Sequence, residues 1–134
     1  MKKLLVAGLI LGWAGVAHAN SNDKVLSATL DGPSVLSGGD ANGSGSFSAL
    51  ISEDEDQLCY SLSAEGIGAA GVAHIHEGAA GDPGRPVIQL GVGANRCVAV
   101  SHSLLEDIKN NPSEYYVDVV HDNDGTDAIR GQLS

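Results

Sequence analysis

From residue 25 onward the chain is built of short β-type runs, each closed by a turn signal within the roughly 3–10 residues of an ordinary strand. Residues 25–30 alternate, with Val25, Ser27 and Thr29 on one side and Leu26, Ala28 and Leu30 on the other. Successive side chains of a strand leave opposite faces, so a period of two marks a half-buried strand. Residues 45–51 and 58–64 follow the same rule on either side of Glu53-Asp54-Glu55-Asp56, an acidic turn that makes them a hairpin. Further short apolar runs occupy residues 72–76, 86–90, 96–100, 115–120 and 128–133. Glycine occurs 18 times, mostly between these runs, which leaves little room for long helices. One helix is expected, over residues 103–110. Ser103 would cap it with Glu106 in a capping box, Leu104, Leu105 and Ile108 would form its apolar side, and Pro112 lies past its end. The pattern predicts an all-β chain with one short helix: an antiparallel β-sandwich or barrel of immunoglobulin-like or superoxide-dismutase-like type.

The first residues follow a different logic. Lys2 and Lys3 precede an apolar stretch over residues 4–16, and Ala17-His18-Ala19 is a small-x-small cleavage site. Residues 1–19 therefore read as a secretory signal peptide, with residues 20–134 forming one domain. The apolar stretch is shorter than the ~20 residues of a spanning helix, so no membrane span is expected. Asn20 rather than cysteine follows the cleavage site, which argues against a lipid anchor. The destination is periplasmic or secreted. In such an oxidising compartment Cys59 and Cys97 are expected to form a disulfide, worth roughly 3–4 kcal/mol in the chain-entropy model. Once the leader is removed, Lys24, Arg85, Arg96, Lys109 and Arg130 stand against 17 acidic residues. This charge disfavours nucleic acid and anionic membranes as partners and favours cations.

The densest chemistry lies in His74-Ile75-His76-Glu77, followed by a Gly- and Ala-rich loop and Pro86-Val87. Two histidines at period two on a strand share a face, with Cα atoms roughly 6–7 Å apart, so both imidazoles can reach one ion. His121, late in the chain, is the candidate third ligand. Three imidazoles suit copper, or less favourably zinc. Other candidates are weaker. Asp40-Ala41-Asn42-Gly43-Ser44-Gly45 is similar to a short calcium loop but lacks the bidentate glutamate of an EF-hand, and it reads equally as a tight turn. His102 sits beside the helix cap, and Glu77, Asp122 and Asp124 read as turn or surface acids.

These residues carry a family resemblance. The sequence over residues 25–134 resembles the CHRD domain, a module first described in chordin and also found singly in secreted bacterial proteins. The resemblance rests on Ala73-His74-Ile75-His76, Gly78-Ala79-Ala80-Gly81 and Pro86-Val87, then Asn111-Pro112, Tyr115-Tyr116-Val117 and Ile129-Arg130-Gly131-Gln132-Leu133. Cys59 and Cys97 are similar to a pair found in a bacterial subgroup. The resemblance implies a β-rich extracellular domain with no settled general activity. The chain departs from the family at one point: where a histidine usually follows Tyr-Tyr-Val-x-Val directly, Val120 stands, and the histidine comes one residue later as His121. A one-residue shift on a strand reverses the face unless a bulge restores it. A weaker, local similarity links His74-Ile75-His76-Glu77 and Val119-Val120-His121-Asp122 to copper–zinc superoxide dismutase, although no zinc-loop cluster of histidines follows His76.

Two functional readings follow. The first is an exported protein that binds a transition metal, copper favoured, through His74, His76 and His121. The second is a metal-free module whose Tyr60, Tyr115 and Tyr116 form a surface for an extracellular protein or a glycan. No nucleophile–histidine–acid spacing supports an enzyme, and copper redox chemistry is the one catalytic version the residues admit.

Overall fold

A computed structural model describes residues 23–134, so the expected signal peptide lies outside the described residues. The described residues form eight strands: β1 (Lys24–Asp31), β2 (Ser44–Ser52), β3 (Gln57–Glu65), β4 (Ala70–Glu77), β5 (Arg85–Leu90), β6 (Gly93–Ala99), β7 (Tyr115–His121) and β8 (Asp127–Gln132). Between β6 and β7 lie a helix, α1 (His102–Asn110), and a 3-10 turn (Pro112–Glu114). All strand pairings are antiparallel, in the order β5-β4-β7-β8-β1-β2-β3-β6. The two edge strands are consecutive in the chain, linked by residues 91–92, so the sheet curls almost into a barrel. The Tyr60 hydroxyl accepts from the Gly91 N–H at 2.8 Å and ties that link to β3. The all-β expectation holds, in its barrel form.

Alternation sorts the side chains as the sequence requires. Leu26, Leu30, Phe47, Ile51, Leu58, Ile75, Val117 and Ile129 fill the interior, and Phe47 stacks on Tyr60 with ring centroids 5.8 Å apart. Burying each such side chain contributes about 1.5–3 kcal/mol. Helix α1 adds Leu105 and Ile108 to this core. Its cap differs from expectation: Ser101, not Ser103, accepts from the Leu104 N–H, and the helix starts at His102. Ser101 stands three residues before that orphan N–H, the spacing an N-cap side chain needs.

Two local features fix the seams. Cys59 and Cys97 face each other directly across β3 and β6 and form the expected disulfide. At Gly131 a Cβ would run into the Thr29 carbonyl, so glycine lets β8 pass close to β1, where the ladder contains the Asp31–Arg130 pair. No helix among the described residues is long and apolar enough to cross a membrane.

Candidate metal centre

On β4, Ala73 and Ile75 point into the core, which turns His74 and His76 to the outer face. On neighbouring β7, Tyr115, Val117 and Val119 are core residues, so Tyr116 and Asp118 share the face of the two histidines. Register then brings them together: His74 stands opposite Asp118, and His76 opposite Tyr116. The next strand places Arg130 opposite Asp118 and Gln132 opposite Tyr116. The outer face is covered here by the loop between β4 and β5. Arg130 donates to the carbonyls of Ala79 (3.0 Å) and Asp82 (2.8 Å), and Gln132 donates to that of Gly78 (2.8 Å). The Tyr116 hydroxyl accepts from the Gly84 N–H at 3.1 Å. A Cβ at Gly84 would strike the Glu77 carbonyl, so glycine is what allows the loop to return this close to β4.

His74, His76 and Asp118 form one group, with a ligand atom from each lying within 4.8 Å of the others. His76 Nε2 is 3.0 Å from Asp118 Oδ2, and His74 Nδ1 is 3.9 Å from Asp118 Oδ1. The two imidazoles meet edge to face at 5.6 Å. The Asp118 side chain is only 3% exposed. His76 Nε2 and Asp118 Oδ1 are both buried; Nε2 has the Asp118 carboxylate as its ion-pair partner, and Asp118 also interacts with the Asp127 carboxyl.

The tautomer of His76 sharpens the point. Its Nδ1 lies 3.0 Å from the Gly84 carbonyl, which can only accept, so Nδ1 carries the proton. In the neutral ring the Nε2 lone pair then faces the Asp118 carboxylate. A proton or a metal cation between them relieves that opposition. Tyr116 holds the ring in place, stacked at 4.7 Å and nearly parallel, while the Arg130 guanidinium lies 3.4 Å from the centre of the Tyr116 ring. Two groups this close cannot share one ring face, so Tyr116 is sandwiched between His76 and Arg130, a cation–π contact of roughly 0.5–2 kcal/mol.

The electrostatics agree. Burial by itself would lower the His76 pKa. The Asp118 carboxylate and the Gly84 carbonyl outweigh it and raise the imidazole above its ordinary value. The Asp127 carboxyl on β8 is pushed up to about 6, by burial first and then by the adjacent Asp118.

His121, the expected third ligand, is not brought to this pair. Its Nε2 lies 2.8 Å from Asp40 Oδ2, and its Nδ1 lies 2.9 Å from the Thr126 hydroxyl. The extra residue in this stretch lies on β4, between Ala70 and Ala73, and on β8, not within β7. His121 is an odd number of residues beyond Asp118, so alternation puts it on the opposite side of the strand. The local similarity to copper–zinc superoxide dismutase thus does not extend to a third converging imidazole. Asp40, read above as a calcium-loop candidate, turns its carboxylate to His121 instead. The three tyrosines proposed as a binding surface are buried: Tyr60 at 4%, Tyr115 at 1% and Tyr116 at 5% exposure.

Among the described residues one other group of this kind occurs, Glu53, His102 and Glu106. It is already occupied by protein contacts. Lys109 Nζ sits 2.5 Å from Glu53 Oε2, and His102 Nδ1 sits 3.0 Å from Asp56 Oδ1. Asp118 was missed by sequence reasoning. Its signal was a single carboxylate inside the apolar run Tyr115-Tyr116-Val117-Asp118-Val119-Val120.

Residues 26–133, nearly all of the described chain, match the CHRD domain family. The chain belongs to that family. No match was found among curated proteins or among solved structures. The family is one of extracellular modules, and the disulfide of this CHRD domain agrees with that setting. All three candidate donors lie within the matched residues, His74 and His76 on β4 and Asp118 on β7.

Proposed function

We propose that this CHRD domain is an exported, periplasmic or secreted, metal-binding protein that holds one divalent transition-metal ion through His74, His76 and Asp118. The observation that carries this reading is the convergence of two imidazoles and a buried carboxylate, His74, His76 and Asp118, with a ligand atom from each within 4.8 Å of the others. Copper(II) is the preferred ion, because two imidazoles and a carboxylate bind it more strongly than zinc in the general order of divalent affinities. The hard carboxylate disfavours copper(I). The biological use would be sequestration or delivery of the metal rather than catalysis.

The test is metal content after loading with copper or zinc. Wild type should retain one equivalent, and the His74→Ala/His76→Ala and Asp118→Asn variants should retain none. His121→Ala should behave as wild type. No retained metal in wild type would overturn the reading. Capture of one extracellular partner equally by wild type and the histidine variant would then favour a metal-free binding module.

A further inference from the structure

We infer that the loaded centre keeps one coordination position free of protein and takes a small monodentate anion there. This rests on the metal-binding reading above. The chain offers three donors within 4.8 Å of one another, whereas divalent copper and zinc take four or more. Sites with three protein donors are the ones that hold water or another exogenous ligand in the remaining position.

The cover over the three donors is uneven. Side-chain exposure rises from 3% at Asp118 through 13% at His76 to 25% at His74. On the His76 side, protein fills the space: Gly84 caps Nδ1, Tyr116 stacks on the ring, and Arg130 and Gln132 pin the loop over it. On the His74 side the cross-strand neighbour is Gln89 of β5, which is exposed. Access to the ion is therefore from the His74 edge.

Charge selects the ligand. Neutral imidazoles and the single Asp118 carboxylate leave a dication with one unit of positive charge uncompensated. The buried Arg130 guanidinium, opposite Asp118 in the ladder, offsets the neighbouring Asp127 carboxyl, so that unit of positive charge remains. An anionic fourth donor is favoured over a neutral one.

The experiment is an azide titration of the copper(II)-loaded protein, followed by electron paramagnetic resonance and by the azide-to-copper charge-transfer absorption. The expected result is a new band that saturates at one azide per copper, with a matching change in the copper spectrum. A spectrum that stays unchanged at saturating azide, in a protein that does hold copper, overturns the open position and leaves the metal reading standing. A response in Gln89→Ala but not in wild type also overturns it, because Gln89 would then fill the fourth position. Failure to hold copper or zinc at all overturns both.

Discussion

Strand β7 carries two histidine–carboxylate encounters on opposite sides of the sheet, and they differ in how many imidazoles meet the carboxylate. Toward its end, His121 is fully engaged: Nε2 on Asp40, Nδ1 on Thr126, with Asp124 at 3.8 Å. These contacts join the loop before β2 to the β7–β8 turn. At mid-strand, Asp118 meets both His74 and His76 at greater depth, one buried carboxylate facing two imidazoles. A histidine beside an acid is thus no guide to function by itself. The first cluster spends its polar atoms on architecture. The second gathers two imidazoles on one buried carboxylate, and that convergence is why we propose it as the ligand site.

The sharpest break of this comparison is removal of one carboxylate from each cluster. Asp118→Asn is expected to weaken copper binding by more than the roughly 10–100-fold that outer-sphere partners contribute. Asp40→Asn should leave it unchanged, with isothermal titration as the readout. Equal losses would mean that the two clusters are one functional unit. A smaller effect is expected from the shell around His76. Arg130→Ala frees the loop and unloads the Tyr116 ring, and should weaken binding about 10–100-fold. Gln132→Ala removes one of the loop's side-chain anchors and should have a lesser effect in the same assay.

A pH series separates the clusters further. In the metal-free protein the raised pKa values of His76 and His121 stabilise the fold below the unfolded histidine value and lose that contribution as pH rises through the folded values. Asp127, raised to about 6, acts in the same direction, since its protonated form is favoured in the fold. The metal-free melting temperature should therefore fall as pH rises through the range from about 4 to above 7. The metal-bound protein should gain on the metal-free one over the upper part of that range, because the ion competes with the proton on His76 Nε2. A metal-induced shift independent of pH would place the ion away from His76. The smallest change is His121→Ala: a lower melting temperature with metal content unaltered.

Much of the architecture was legible beforehand, because period-two alternation and turn residues act over a few neighbours. The strands of the sheet fall within a few residues of the alternating runs, and Cys59 and Cys97 pair as expected. The helix start was misread because Ser101 and Ser103 are both acceptable caps, and which one serves depends on where the chain leaves β6. Two of the three candidate donors were also legible. His74 and His76 share a face by spacing alone, as the strand requires.

The third donor depended on which strands become neighbours. Asp118 stands 42 residues after His76 in the chain, and only the β4–β7 ladder sets it opposite His74. The same register, with its extra residue on β4 rather than β7, sends His121 to Asp40 instead. What the sequence determined by itself was local: the alternation that makes strands, the glycines that make turns, and the shared face of His74 and His76. What the tertiary structure decided was the partner of each histidine, because cross-strand contacts follow from sheet order and register, and both are properties of the whole packed chain.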